Sequence, residues 1–369
     1  MERTYSHEVK PGKQYLLKGW VSQIRDLGKL KFFLLRDREG FVQVTLKKGA
    51  AHDDLIAFVS TLGREDCVAV LGEAKEAKQA PNGVEIFPER IDMINRAKQL
   101  PIEIGEKIET NLDKRLDWRS LDLRSPKNTA IFKIQSALVA GMEEYLGRER
   151  FLHTFTPCMM GTPSESGADV FPVFYYNKEV YLRQDPQLHR ELLILAGFDK
   201  IFDLGPSWRA EASHTTRHLS EHRGMAPEMA FIEDERDIIK LEENVVIAAL
   251  QSVKKNCSNE LELWDKKIAI PERPFPELRF PEVYDILEKL GKKIPFGEDY
   301  DRESEQLLSE WVKKKYKSEF YFVNRFPFAA KPFYVMRADD DPRWARSIDL
   351  VYKGLEQSSG GQREHRYEK

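Results

Sequence analysis

The chain is expected to be an α+β protein in two parts, a small β-barrel followed by a larger domain built on an antiparallel sheet. Three observations predict this. At 369 residues the chain exceeds the size at which one core keeps growing. Its first hundred residues hold short β-rich runs separated by turn signals, whereas the rest mixes helical periodicity with hairpin-like strands and lacks βαβ alternation. The composition, 41% hydrophobic and 32% charged, is ordinary for a soluble globular protein.

Several classes are disfavoured at once. No apolar run approaches the roughly 18 residues of a membrane span, and Met1-Glu2-Arg3-Thr4 leads into polar sequence, so a cytoplasmic protein without membrane contact is expected. Cys67, Cys158 and Cys257 stand alone, with no Cys-x-x-Cys pair, which argues against a disulfide framework or a structural zinc site. A net charge of −3 disfavours a generic nucleic-acid coat. Residues 1–50 nevertheless carry eleven Lys/Arg against five Asp/Glu, an excess compatible with local RNA contact or with a solvated surface.

The β-rich runs fall at residues 14–24, 30–36, 41–46, 67–72 and 83–94, and a polar helical stretch at 53–62 separates the third from the fourth. That order is the pattern of an OB-fold β-barrel; another small all-β module would give similar runs. Residues 1–100 are taken as this first domain, 101–125 as a charged linker beginning near Pro101, and 126–369 as the second domain. A helix over 128–146 opens the second domain, with Ile131, Ile134, Leu138 and Met142 on one face as core or interface. Further helices are expected at 187–196 and 235–254. Strands are expected at 200–204, 228–232, 319–324, 332–337 and 347–352.

Residues 209–222, RAEASHTTRHLSEH, carry the densest chemistry. Arg209 and Arg217 supply planar forks of donors that match phosphate and carboxylate oxygens in pairs, and Glu211 is an acceptor suited to an exocyclic amine or a ribose hydroxyl. A charged surface hairpin would have the same composition. Asp349 and Glu356 form a second constellation. Seven residues apart on a straight strand, they would face opposite sides. A tight reversal near Lys353-Gly354 that sets Glu356 across from Val351 would instead make them diagonal neighbours on one face, suited with phosphate oxygens to Mg2+. The alternative is a pair of surface acids near a turn.

The order of residues in 209–222 closely resembles motif 2 of the class II aminoacyl-tRNA synthetases, in the aspartyl/asparaginyl subgroup of archaeal and eukaryotic type. Phe151 to Pro157, following the first helix, is similar to motif 1, which implies a homodimer. Gln184-Asp185-Pro186-Gln187-Leu188-His189-Arg190 resembles the family's QSPQLYK, and Ser164-Glu165-Ser166-Gly167 resembles its TEGG loop. Ser359-Gly360-Gly361-Gln362-Arg363 follows the Asp349/Glu356 pair at the family's spacing. The resemblance implies an aspartate–tRNA ligase that forms aspartyl-adenylate from ATP and passes it to tRNA, by orientation and electrostatic stabilisation without a protein nucleophile. It implies Arg209 between carboxylate and α-phosphate, Glu211 by the adenine amine, and Arg217 and His218 on the outer phosphates. Glu165 and Gln187 would meet the α-amino end, Arg190 and Arg363 the side-chain carboxylate, and Asp349 and Glu356 the Mg2+. Phe32, Gln43 and Glu85 match positions that stack on and hydrogen-bond anticodon bases, although a single Phe on a strand is more often core.

Three departures bear on specificity. Ser166 replaces a glycine, Arg190 replaces a lysine whose point charge has a different shape, and Ala226 stands where an aspartate contacts the substrate ammonium, a loss of about 1.5–3 kcal/mol. Nothing after Arg363 supplies the glycine-rich motif 3 with its adenine-stacking arginine. The catalytic domain is therefore expected to be C-terminally incomplete, through truncation, a separately encoded piece or degeneration of a paralogue. An asparagine-type or nondiscriminating Asp/Asn synthetase is the near alternative. From other classes, a non-catalytic tRNA-binding paralogue or a small-molecule amino-acid ligase would share the fold.

Overall fold

Alternating apolar residues close the N-terminal strands into a barrel in the computed structural model, which describes residues 1–28, 30–49, 51–104, 110–164, 169–210 and 219–369. The barrel strands are β1 (Gln14–Asp26), β2 (Leu30–Arg36), β3 (Phe41–Lys47), β4 (Cys67–Glu76) and β5 (Val84–Asn95), with helix α1 (Asp53–Ser60) between β3 and β4. They close in the order β1-β2-β3-β5-β4; β3 and β5 run parallel and the other neighbours antiparallel. Phe33, Leu35, Val42, Val44, Val84 and Ile86 point inward and are buried. By strand alternation their neighbours Phe32, Gln43, Thr45 and Glu85 point outward.

Two compact units make up the chain, residues 1–129 and 130–369. The stretch expected to be a linker lies in the first unit and carries α2 (Leu112–Asp117) and α3 (Arg119–Asp122). Asn111 caps α2 by accepting from the Lys114 amide at 3.0 Å. Buried Glu65 anchors this region: Arg36 donates to both its oxygens, at 2.9 and 2.7 Å, and Arg124 donates to Oε2 at 2.5 Å.

Helix α4 (Pro126–Arg148), most of which belongs to the larger unit, begins with proline, whose missing N–H is no loss in a first turn. Its apolar stripe is covered unevenly: Leu146 is fully buried while Ile131 is 48% exposed. There follow β6 (Leu152–Thr154), β7 (Met159–Met160), β8 (Pro172–Tyr175), β9 (Lys178–Leu182), α5 (Gln187–Leu195), β10 (Lys200–Trp208), β11 (Glu221–Met229), α6 (Arg236–Asn256), α7 (Ser258–Leu263), β12 (Glu277–Arg279), α8 (Glu282–Lys289), α9 (Arg302–Tyr316), β13 (Phe320–Asn324), β14 (Ser347–Tyr352) and β15 (Leu355–Gly361). The sheets have the orders β11-β10-β6, β12-β13-β14-β15 and β7-β9-β8. They are largely antiparallel, with parallel pairs β6/β10 and β12/β13. Different sides of α6 back two of them, with Leu241 and Val245 against Phe202 of β10 and Ile239 against Phe322 and Ile348. Gly141 lets α4 approach α6: a Cβ there would lie 2.6 Å from Ser252 Cβ and 2.7 Å from the Ala248 carbonyl.

Two expectations change. Residues 332–337 form no strand; Val335 and Arg337 make isolated bridges to Arg363 and Ala345, and the Met336 amide donates to Gln362 O at 2.8 Å. Pro332 has no N–H to give, and its carbonyl accepts from Val335 at 3.1 Å, turning the segment into a brace. The hairpin strands at 200–208 and 221–229 zip closer to the loop than expected, and the ladder stops before Phe231, whose φ of 59° is left-handed. Among the described residues no helix is long and apolar enough to cross a membrane.

A buried ion pair ties the first sheet to the loops around it. Arg183, 2% exposed, donates to Asp203 Oδ1 at 3.1 Å, to Thr156 Oγ1 at 2.5 Å and to the Pro206 carbonyl at 2.5 Å. Asp203 Oδ2 accepts from the Thr156 amide at 3.1 Å and hydroxyl at 2.6 Å. Asp203→Ala strands the guanidinium without its carboxylate and should cost about 3–5 kcal/mol. Urea unfolding followed by tryptophan fluorescence should show the larger unit's midpoint falling; an unchanged midpoint refutes this role.

Candidate functional site

Strands β11 and β15 are edges of separate sheets that border one broad cleft in the larger unit. Along β11, Met225 and Met229 pack toward α6, so alternation turns Ala226 and Glu228 toward the cleft. Arg363, just beyond β15, reaches Glu228 Oε1 from Nε at 3.2 Å. Gln187, 3% exposed in the first turn of α5, is the hub. Its Oε1 accepts from Arg190 NH2 at 2.7 Å and Arg363 NH2 at 2.8 Å, while its Nε2 donates to Glu191 at 3.0 Å and to Glu228 at 3.1 Å. The structure therefore brings Gln187, Arg190 and Arg363 together. It commits Gln187 to its protein neighbours, however, and leaves the amide no spare group to meet an α-amino group.

Arg190 is buried, with NH2 on Asp185 at 2.8 Å, yet its Nε and NH1 make no hydrogen bond. Buried donors without partners are costly, so this guanidinium is set to receive an anion. Glu228 Oε2 stands 3.5 Å from its Nε as an ion-pair partner. Burial opposes the charge of Arg363, but Glu228 and its hydrogen bond outweigh that and raise the pKa. Tyr334 lies under Arg363, its ring centroid 5.2 Å from the guanidinium carbon.

Arg209 follows β10 and borders the same cleft; its amide donates to Ser220 O at 3.1 Å. Beside it His222 is held below the usual imidazole range, first by burial and then by the Arg209 charge. Glu165, Glu211, Arg217 and His218 lie outside the described residues.

The turn between β14 and β15 has Lys353 at φ 52° and Gly354 at φ 70°, the backbone of a two-residue hairpin. It sets Glu356 across from Val351, and a bulge follows between Val351 and Leu350. Asp349 and Glu356 thus share a face and line a cavity of about 180 Å³ together with Asp299, Asp301 and Glu305. Lys331 Nζ pairs with both Asp349 oxygens, at 3.3 and 3.2 Å. Although Glu356 keeps solvent access from the cleft, the surrounding protein and then the Asp349 charge push its pKa up to about 7, with Lys331 opposing. No group of three or more His, Cys, Asp or Glu among the described residues is arranged to hold a metal by itself. Beneath β15, Glu242 of α6 accepts from Ser358 Oγ at 3.0 Å, and its pKa is also pushed up to about 7, mainly by burial.

On the barrel, Arg25 pairs with Phe32 and Phe32 with Thr45, while Leu34 pairs with Gln43 and Gln43 with Glu85. Phe32, Gln43 and Glu85 accordingly share the outer face, half-buried. The Arg25 guanidinium lies 5.8 Å from the Phe32 centroid.

Sequence reasoning missed Glu228, Glu191, Lys331, Thr45 and the Arg183–Asp203 pair. Glu228 and Thr45 were within reach, since each lies two residues from a singled-out position on a strand and so shares its face. Lys331 carried no local signal.

The family model for class II tRNA synthetases (D, K and N) matches residues 111–369, and that for the OB-fold nucleic-acid-binding domain matches residues 15–94. Aspartate–tRNA(Asp) ligase from Pyrococcus furiosus is 40% identical over 99% of this chain and 84% of its own length. Aspartate–tRNA(Asp/Asn) ligase from Archaeoglobus fulgidus is 40% identical over 99% and 85%. Among solved structures, asparaginyl-tRNA synthetase from Pyrococcus horikoshii complexed with asparaginyl-adenylate superposes with a TM-score of 0.90 at 32% identity, covering 100% of this chain and 85% of that one.

The proximity of Asp349 and Glu356 has a measurable consequence. Carboxyl carbon NMR should follow Glu356 titrating near pH 7, and Asp349→Asn should lower that midpoint because a like charge is removed while Lys331 remains. A Glu356 midpoint near the ordinary 4.5 in the unaltered protein would refute the arrangement.

Proposed function

Because the chain belongs to the class II tRNA synthetases (D, K and N), we propose that it is an aspartate–tRNA ligase, joining aspartate to ATP as aspartyl-adenylate and passing the aspartyl group to tRNA. The observation that carries the choice of amino acid is the Arg190–Gln187–Arg363 cluster. One guanidinium there has two buried nitrogens, Nε and NH1, that make no hydrogen bond, and the second is held beside it by the same amide. A substrate side-chain carboxylate satisfies those donors. A neutral carboxamide brings its own N–H groups and leaves them underpaired, which discriminates strongly. Glu228, on the same face as Ala226 and two residues along, supports a reading in which it joins Glu165 in meeting the α-ammonium that lacks its usual aspartate.

In this reading Arg209 bridges the substrate carboxylate and the α-phosphate, Glu211 accepts from the adenine amine, and Arg217 and His218 hold the outer phosphates. Burial and then the Arg209 charge lower the pKa of His222, which disfavours a further positive charge beside Arg209. Two hard-oxygen donors on one face fit Mg2+, which commonly takes one or two carboxylates and completes its shell with phosphate and water; Lys331 on Asp349 already marks the spot as favourable to positive charge. Asp349 and Glu356 would hold the ion, which when bound neutralises phosphate charge. Residues 1–100 bind the anticodon through Phe32, Gln43 and Glu85, residues 101–125 connect, and residues 126–369 carry the ligase chemistry. The partly uncovered stripe of α4 fits a homodimer, and the protein works in the cytoplasm.

A second reading, in which tRNA(Asn) is also charged with aspartate, draws on the Asp/Asn ligase among the relatives; comparing the two tRNAs as acceptors separates them.

Calorimetry tests the substrate. Aspartate should bind and asparagine should not, and Arg363→Leu should weaken aspartate binding about 10- to 100-fold through loss of a charged hydrogen bond. Equal binding of the two amino acids, or an indifferent Arg363→Leu variant, removes the aspartate assignment. For the RNA, Phe32→Ala should cost about 1–3 kcal/mol of tRNA affinity, the loss of one stacked base. Unchanged affinity, equal for tRNAs with unrelated anticodons, would sink the barrel's proposed role.

A further inference from the structure

We infer that Thr45 sets which bases the outer face of the barrel accepts, by pinning the Glu85 carboxylate and the Gln43 amide in one polarity. The inference rests on the anticodon-binding reading above and goes beyond it. Thr45 is 3% exposed although it points outward, because it lies under the side chains around it. Its hydroxyl donates to Glu85 Oε2 at 2.6 Å and accepts from Gln43 Nε2 at 3.1 Å. Gln43 Nε2 also donates to Glu85 Oε2, at 3.0 Å.

The donor inventory then decides what is left for a ligand. A carboxylate only accepts, so the orientation of the Gln43 amide follows from its neighbours, with NH2 turned inward and both N–H groups used. The single hydroxyl hydrogen of Thr45 is used as well. Glu85 Oε1 and Gln43 Oε1 remain, with no hydrogen bond to them among the described residues, and both are acceptors. Beside them Phe32 offers a ring face on which a base stacks. Uracil and guanine carry an imino N–H on their pairing edge and find an acceptor there. Adenine and cytosine carry a bare ring nitrogen and meet a lone pair.

Thr45 makes this polarity rigid. Its branched side chain on a strand has few rotamers, whereas Glu85 and Gln43 are long and would otherwise swing. Valine keeps the shape but removes the donor and the acceptor together, leaving a Gln43 N–H unpaired and the amide free to turn and present it outward. A merely structural threonine would affect stability or all RNA binding equally; a polarity pin affects the ratio between bases.

The test uses the whole chain and RNA hairpins that carry A, C, G or U in turn at each anticodon position, with affinity read by fluorescence anisotropy. At one position the unaltered protein should prefer a base with an imino N–H. Thr45→Val should shrink that preference about fivefold, the worth of a polar contact, without changing the melting temperature, and Thr45→Ser should retain it. Glu85→Gln, which places a donor at the edge, should shift the preference toward adenine or cytosine. An intact preference in Thr45→Val, or an unshifted one in Glu85→Gln should Thr45→Val fail to fold, overturns the inference. Phe32→Ala separates the two levels. If it weakens hairpin binding while Thr45→Val keeps the base ratio, only the role of Thr45 falls; if it leaves binding unchanged, the anticodon reading falls with it.

Discussion

The buried contact between Arg183 and Asp203 is the constraint on which the larger unit's cleft depends. It joins the end of β9, the middle of β10 and the turn at Thr156, three pieces of chain brought together by no local preference. Gly205 belongs to the same device, since a side chain there would collide with the guanidinium. Residues 184–190 leave directly from Arg183, and Arg209 leaves from the end of β10. Both groups of candidate substrate contacts thus start from one fixed point. A buried pair of this kind contributes little net stability against an apolar replacement, because desolvation offsets attraction; its value lies in fixing direction.

The cleft is held by balanced charge. Arg190 and Arg363 stand against Asp185, Glu191 and Glu228, with Gln187 accepting from both cations and donating to two of the anions. An amide is the side chain that can do this, because it offers an acceptor and two donors in one plane. The arrangement offsets the repulsion between two neighbouring guanidinium groups and orients the remaining Arg190 donors. The Asp349–Glu356 face is built on the opposite principle. Like charges are placed together, Lys331 offsets one of them, and the other is left poised near neutral pH.

The barrel illustrates how one fold serves two faces. Alternation sends Phe33, Val44 and Ile86 into the core and Phe32, Thr45 and Glu85 outward on the same strands, so the packing that closes the barrel also sets the spacing of the outer groups. The Gln43–Thr45–Glu85 contacts cross β3 and β5, a parallel pair brought together by barrel closure with β4 intervening in sequence.

Local pattern determined much of this protein. β-Rich runs between turn signals marked the five barrel strands, helical spacing marked α4, and a reversal at Lys353-Gly354 offered one way for Asp349 and Glu356 to share a face, which the observed hairpin takes. The order of short motifs named the cluster of Gln187, Arg190 and Arg363, because residue identity and order survive in one dimension. Tertiary structure decided what each of those side chains is paired with. That Gln187 is committed to four neighbours, that Lys331 rather than open solvent faces Asp349, that residues 332–337 brace Arg363 instead of forming a strand, and that Thr45 rather than Gln43 alone holds Glu85 all depend on contacts between segments distant in sequence. Such contacts leave no periodic trace, because hydrogen bonds and ion pairs are set by a few ångströms of approach that only the closed sheets and packed helices establish.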